Sequence, residues 1–295
     1  MSWLQLHLQT NRDQTEILED VLLACGAVSV TLADNADQPI LEPGVGETPL
    51  WSAVKLSALF EADTDTDMVL VLLSANIDRL PRWRWEILED QPWERAWMEN
   101  FHPVRCGERL WICPSWCEPP RPDAVNLMLD PGLAFGSGSH ATTFMCLQWL
   151  DGLPIQGKTV IDYGCGSGIL GIAAALLGAR HVIAVDNDPQ ALLATQENAS
   201  RNGIGPDRLM IYQPDEQPAQ PADYLVANIL AAPLIDLAEH ITESTKVGGQ
   251  LCLSGIVKSQ IDAVCQAYNK SFRFQILAGQ DDWVRLSAAK IGPDR

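Results

Sequence analysis

The chain has no opening segment in which basic residues precede a long apolar run, and its longest apolar runs fall well short of the roughly 20 residues that cross a bilayer. Secretion and membrane insertion are therefore not expected, and the expected location is the cytoplasm. Cations are scarce as well: 20 Lys and Arg stand against 38 Asp and Glu, for a net charge of −18. Affinity for phosphate backbones rests largely on Lys and Arg, so direct nucleic-acid binding is not expected. A basic protein partner would be drawn to such a surface, and a simple gain in solubility accounts for the acidity equally well. The eight cysteines are scattered, and the closest pair, Cys113 and Cys117, has neither a CxxC spacing nor a nearby His or Cys set. No metal site is expected, and the thiols read as reduced and mostly buried. No internal repeat or low-complexity tract is evident.

What remains is ample material for a core. At 295 residues with 47% hydrophobic content, the chain can fill one large domain or two medium ones. Its most informative stretch runs from Val160 to Gly171. Val160 and Ile161, entered from Lys158-Thr159, read as the end of a buried strand, and Ile169, Leu170, Ile172, Ala173, Leu176 and Leu177 read as a helix. Gly164, Gly166 and Gly168 alternate between them. A strand, a glycine turn and a helix N-terminus let a nucleotide-like ligand approach the backbone closely. Asp162 selects among such ligands, because a pyrophosphate would meet its carboxylate and be repelled whereas a cation would be attracted. The frame Gly166-x-Gly168-x-x-Gly171 formally satisfies the dinucleotide fingerprint, but its first glycine lies inside the turn, five residues past the expected strand.

The first ninety residues read as a separate small domain. Leu4, Leu6 and Leu8 alternate with polar residues as a half-buried strand. Ile17, Leu18, Val21 and Leu22 follow at helical spacing behind Asp13 or Thr15 as caps, and Gly26 can end that helix. Strands over 27–32, 54–60 and 83–87 and a helix over 67–77 complete a βαββαβ order, which suggests an α+β ferredoxin-like sandwich. Residues 34–49, rich in Pro and Gly, read as a loop. This domain carries no glycine loop, nucleophile or ligand cluster, so it is most simply a recognition module. Residues 91–129 form a connector in which Trp93 and Trp97 lie one helical turn apart, followed by lead-in strands at 109–113 and 125–129. The span 130–295 is the catalytic domain.

Three further stretches carry chemistry. Asp130 to Thr143 is a loop of small residues, including Phe135 and Gly136, closed by a helix over 142–150, and it can act as a lid or an anion cradle. His140 can be a general base, although a lone histidine in a Gly/Ser loop more often fixes the loop by hydrogen bonds. Thr142 or Thr143 at the helix start more naturally binds a ligand carboxylate. The strand Val182 to Val185 ends in Asp186, where a doubly wound sheet accepts ribose hydroxyls; Asp186 can alternatively cap the next helix with Asp188 and Pro189. The strand Ala222 to Ala227 runs into Asn228, at the edge where such sheets bind ligands. Ile229 and Leu230 follow with no aromatic ring, so a flipped base lacks a stacking platform worth ~1–3 kcal/mol. An aliphatic amine needs none.

The combination of Asp130-Pro-Gly-Leu-Ala-Phe-Gly-x-Gly-x-His140, Asp162-x-Gly-Cys-Gly-Ser-Gly-Ile-Leu170 and Asn228-Ile-Leu230 resembles the bacterial ribosomal protein L11 (L-eleven) methyltransferases, across essentially the whole chain. Ser137 and Ser139 stand where threonines are usual, and Ala141 stands where proline is common. The resemblance implies a class I methyltransferase fold, with a doubly wound, Rossmann-like α/β sheet behind the ferredoxin-like domain. It implies S-adenosylmethionine as cofactor and, as reaction, methylation of lysine side chains and the α-amino group of that ribosomal protein. The N-terminal domain is then the part that binds the protein partner. By position, cofactor contacts fall on Thr143, Gly164, Asp186 and Asn228, with Phe135, Gly136, Asp162 and Gly166 around them. Asn228, Ile229 and Leu230 are the expected catalytic residues.

Overall fold

The computed structural model describes residues 2–36, 38, 40, 48–89, 101–130, 136, 138 and 140–292. The chain divides into two compact units, Met1–Asn100 and Phe101–Arg295. The connector tryptophans Trp93 and Trp97, most of the loop over 34–49 and half of the stretch 130–143 lie outside the described residues.

The first unit is β1 (Trp3–Asn11), α1 (Arg12–Ala24), β2 (Ser29–Asp34), β3 (Ala53–Glu61), α2 (Thr66–Asn76) and β4 (Arg82–Leu88). This is the βαββαβ order that the periodicities predict. Its antiparallel sheet runs β2-β3-β1-β4. Alternation along β1 sends Leu6 and Leu8 to one face, where they pack with Leu56 and Phe60 of β3, Leu18 and Leu22 of α1, and Leu73 of α2. The first helix starts earlier than expected. Asn11, the last residue of β1, caps it by accepting the Gln14 N–H at 3.2 Å, so neither Asp13 nor Thr15 is needed. Gly26 does end it: with φ at +93° it lets its own N–H reach Leu23 O and that of Ala27 reach Leu22 O.

The second unit opens with a three-stranded sheet, β5 (Val104–Arg105), β6 (Leu110–Cys113) and β7 (Val125–Met128). Then come α3 (Ala141–Asp151), β8 (Thr159–Tyr163), α4 (Ile169–Leu176), β9 (His181–Val185), α5 (Pro189–Arg201), β10 (Leu209–Tyr212) and β11 (Ala222–Asn228). The rest is α6 (Ala231–Asp236), α7 (Ala238–Glu243), β12 (Thr245–Val257), α8 (Ile261–Tyr268), β13 (Phe272–Gln280) and β14 (Trp283–Lys290). The large sheet runs β10-β9-β8-β11-β12-β14-β13, parallel from β10 to β12, with β14 antiparallel to both neighbours. It is doubly wound, as expected.

Both faces of this sheet are covered, which is why its central strands carry apolar residues on both faces instead of alternating with polar ones. Val160, Val182, Ala184 and Val226 pack on one side with Leu147 of α3 and Ile172 of α4. Ile161, Ile183, Leu225 and Leu251 pack on the other with Leu234 of α6, Ile241 of α7 and Tyr268 of α8. The chain winds outward from β8 to β10 and then crosses back to place β11 on the other side of β8. The switch point therefore falls at the carboxyl ends of β8 and β11, where such sheets bind ligands.

Candidate active site

The glycine turn sits at this switch point. Strand β8 continues to Tyr163, two residues further than expected, so Asp162 is inside the strand and Gly164 is the first residue past it. The N–H groups of Gly164 and Cys165 both donate to Val185 O, at 2.8 and 3.0 Å, which ties the turn to the end of β9. Gly164, Gly166 and Gly168 have φ of +73°, +55° and +76°. A side chain in that region costs roughly 1–2 kcal/mol per residue, so the alternating glycines are what the turn requires. A Cβ on Gly164 would in addition overlap the Ile229 side chain. The Cys165 thiol within the turn is no nucleophile, because burial pushes its pKa up.

Asp162 is turned into the protein. It is fully buried, and one carboxylate oxygen accepts the Gly171 N–H at 2.7 Å, across the glycine turn to α4. The other oxygen has no hydrogen-bond partner among the described residues. Burial, and then the nearby Asp186 charge, push its pKa up to about 7 against the opposing pull of the Gly171 N–H. The immediate role of Asp162 is thus to brace the turn, and its charge is available to a cation only in part at neutral pH. Asp186 stands at the end of β9 and accepts two backbone N–H groups, from Gly166 at 2.8 Å and Asp188 at 3.0 Å. One bond per oxygen leaves acceptor capacity on each for ribose hydroxyls. The cap of α5 is Asp188, which accepts the Gln190 N–H at 2.9 Å.

The third wall is made where α3 meets β11. Asn228, at the end of β11, donates from Nδ2 to Thr143 Oγ1 at 3.1 Å. Its Oδ1 is buried and has no partner among the described residues. Thr143 is fully buried, which makes it a support for Asn228 in this state. His140 caps α3: its Nδ1 lies 3.4 Å from the Thr142 N–H and 2.8 Å from Thr142 Oγ1, and its ring meets Trp283 edge-on. The helix begins one residue before the expected start for that reason. Gly136, with φ at +103°, accepts a hydrogen bond from Ser167 Oγ at 2.8 Å, which fastens it to the glycine turn. Phe135 lies outside the described residues.

Among the two remaining expected catalytic residues, Leu230 is exposed, and its carbonyl accepts the Leu234 N–H at 3.2 Å in the first turn of α6. The Ile229 backbone passes against Gly255, where any Cβ would collide with its carbonyl. Gly136, Asp162, Gly164, Gly166, Asp186, Thr143, Asn228 and Ile229 are thus linked into one connected set by these bonds and contacts. Supporting residues were not singled out by sequence. Asn198 donates to Ser167 O at 2.9 Å and Thr195 to Gly166 O at 3.0 Å, both from α5, while Ser254 Oγ donates to Thr142 O at 3.2 Å. Two polar residues on the otherwise small, apolar inner face of α5 were the available signal for the first pair, and Ser254-Gly255 late in an apolar strand was the signal for the third.

Known proteins match this chain over nearly its whole length. The family model described as "Ribosomal protein L11 methyltransferase (PrmA)" matches residues 2–291. A protein of Cellvibrio japonicus named ribosomal protein L11 methyltransferase is 57% identical over 291 residues, covering 98% of this chain and 99% of that one. A protein of the same name from Saccharophagus degradans is 50% identical over 291 residues, covering 98% and 100%. The crystal structure of a ribosomal protein L11 methylase from Lactobacillus delbrueckii subsp. bulgaricus is 34% identical and superposes with a TM-score of 0.60, covering 65% of this chain and all of that one.

Proposed function

The chain belongs to the ribosomal protein L11 methyltransferase family, and from that premise we propose that it transfers methyl groups from S-adenosylmethionine to amine nitrogens of ribosomal protein L11, on lysine side chains and the N-terminal α-amine. The observation that carries the amine assignment is Asn228 Oδ1, a buried acceptor without a partner among the described residues, while the same side chain is anchored through Nδ2. A buried acceptor without a partner calls for a hydrogen-bond donor, and a primary amine supplies N–H donors.

The residues present fit the cofactor. The glycine cradle would hold it, Asp186 would accept its ribose hydroxyls, and Asp162 places partial negative charge behind the turn. When bound, S-adenosylmethionine supplies an electrophilic methyl group. The protein's own task is to present a neutral amine to it. A lysine of pKa ~10.4 is neutral only about once in 2,500 at pH 7, whereas an α-amine near ~8 starts closer. Desolvation at the mouth of the site disfavours the ammonium form and lowers that pKa. Asn228 Oδ1 then accepts one amine hydrogen. The Ile229 carbonyl is the better second acceptor, because that of Leu230 is engaged in α6. Two fixed acceptors orient the nitrogen lone pair, so catalysis rests mainly on positioning, with the proton lost to water.

Intact-mass measurement of purified ribosomal protein L11 incubated with this protein and S-adenosylmethionine tests the proposal, with 14 Da increments as the expected result. Absence of any increment removes the substrate. Titration with S-adenosylmethionine and with NADH tests the cofactor separately, and tighter binding of NADH would overturn it.

A further inference from the structure

The glycine turn is held by more than its own strand and helix. Glycines at 164, 166 and 168 give it the left-handed backbone it needs, and the same freedom lets its peptide planes rotate unless something outside fixes them. That support comes from one side of α5. Thr195, Asn198 and Asn202 follow one another at i, i+3 and i+7, so they project from the same face. Thr195 Oγ1 donates to Gly166 O at 3.0 Å, and Asn198 Nδ2 donates to Ser167 O at 2.9 Å. The peptide plane between Ser167 and Gly168 is thereby held at both edges, because the Gly168 N–H on its far side donates to Cys165 O at 2.8 Å.

Asn198 is itself held from outside the site. It is buried, and Arg201 NH1 donates to its Oδ1 at 2.9 Å, a charge-assisted bond between neighbours three positions apart. The amide therefore has one orientation that works. Turned over, it would set Oδ1 against the Ser167 carbonyl and Nδ2 against a guanidinium, and both bonds would be lost. The same guanidinium nitrogen lies 3.6 Å from Asp130 Oδ2, and Asp130 accepts the Ser115 N–H at 2.7 Å and the Ser115 hydroxyl at 2.9 Å. The Arg201 to Asp130 pair is long and half-exposed, so it adds little stability by itself, and its effect is to set the guanidinium beside Asn198. Asn202 completes the bracket: the Met128 N–H donates to its Oδ1 and its Nδ2 donates to Met128 O, both at 2.8 Å, which ties α5 to the end of β7.

We propose that Asn198 is a positioning residue for the cofactor and that Arg201, aligned by Asp130, acts through it. The line from Asp130 through Arg201 and Asn198 fixes the plane between Ser167 and Gly168, and so preforms the turn for its ligand. This role rests on the S-adenosylmethionine reading above and adds what makes the turn rigid. Rigidity matters to affinity, because a ligand that must first order a mobile turn binds more weakly by the cost of that ordering. Packing alone does not call for an amide at this position. Other buried residues of α5 include Ala191 and Ala199, and a buried amide is costly unless both its ends are bonded.

The test measures S-adenosylmethionine binding to the full chain by calorimetry, beside the melting temperature of the ligand-free protein. Asn198→Asp is nearly isosteric and pairs with Arg201, but it presents an acceptor to the Ser167 carbonyl. Its Kd is expected to rise about tenfold, the worth of one buried hydrogen bond, with the melting temperature close to that of wild type. Arg201→Met is expected to raise Kd about threefold, and Arg201→Lys, which keeps a cationic donor, to restore most of that loss. In an Asn198→Ala background, Arg201→Met is expected to change Kd no further, since the residue through which it acts is gone. An unchanged Kd in Asn198→Asp overturns the proposal, and so does an Arg201→Met effect of equal size with and without Asn198. Failure of wild type to bind S-adenosylmethionine at all is the failure of the cofactor reading, whereas binding by wild type that Asn198→Asp matches is the failure of this role alone.

Discussion

Asn228 and Thr143 hold each other: the Asn228 amide nitrogen donates to the Thr143 hydroxyl at 3.1 Å, which joins the end of β11 to the first turn of α3 and fixes the direction of Oδ1, an oxygen with no partner among the described residues. Removing the amide leaves the incoming nitrogen without its first acceptor. Asn228→Ala is expected to lower kcat ~10²-fold, the scale of a misplaced reacting group. Thr143→Val keeps the side-chain volume and removes only the anchor, so a smaller fall is expected. Steady-state kinetics with ribosomal protein L11 check both, and full turnover in Asn228→Ala would refute the acceptor role.

Asp162 gives the protein a pH dependence with a definite sign. Its folded pKa is raised from 3.8 to about 7, chiefly by burial. Between those values the folded state holds a proton that the unfolded state has released, so this carboxyl's contribution to stability falls as pH rises from about 4 to about 7 and is flat above. Asp162→Asn lacks that slope. Its melting temperature is expected to gain on wild type across that window. A bound cation also draws the proton off, so S-adenosylmethionine binding at pH 7 is expected to release about half a proton. Calorimetric titration in buffers of different ionisation enthalpy measures this, and equal release in Asp162→Asn would refute the assignment.

How much of this was legible in sequence varies with the kind of force involved. Alternating Leu4, Leu6 and Leu8, the apolar residues up to Ile161 and Val185, and the glycines at 164, 166 and 168 are local patterns with local causes, and they marked the strands, the turn and the helix by kind, although β8 runs two residues past Ile161. The direction of Asp162 was not legible. Its spacing before Gly164 suited a carboxylate facing a ligand, but strand alternation and the length of β8 turn it toward α4, where Gly171 N–H receives it. Likewise the Asn228 to Thr143 bond joins residues 85 positions apart, a relation that only the packing of α3 on β11 creates. Sequence supplied both participants and could not supply the contact.

Gly164 is predicted to tolerate no side chain. Alanine there meets two costs at once: a left-handed backbone at φ of +73° and overlap with Ile229 Cγ2. The first costs roughly 1–2 kcal/mol. The second displaces Ile229, whose carbonyl is the proposed second acceptor for the amine. Gly164→Ala is therefore expected to lower both the melting temperature and kcat, whereas Gly157→Ala, a glycine with φ of +74° and no atom within 4 Å of the added carbon, carries the conformational cost alone. Thermal denaturation beside kinetics separates the two terms. Equal effects of both substitutions on kcat would refute the Ile229 argument.

His140 serves as the discriminating case between a general base and a structural cap. Its Nδ1 is occupied by the Thr142 backbone and hydroxyl, and its ring packs on Trp283, so the side chain is committed to the start of α3. A cap of this kind contributes about 1 kcal/mol, and asparagine is an effective substitute at such a position. His140→Asn is expected to keep kcat within a few-fold and to leave its pH profile unshifted, while His140→Ala lowers the melting temperature. A base in proton transfer behaves otherwise: its loss costs typically 10²–10⁴-fold in rate and removes an ionisation from the pH profile. Because α3 carries Thr143, and Thr143 holds Asn228, a frayed helix start also reaches the amine site. The alanine variant should therefore lose some turnover that asparagine restores, and a pH-dependent loss common to both variants would make His140 the base.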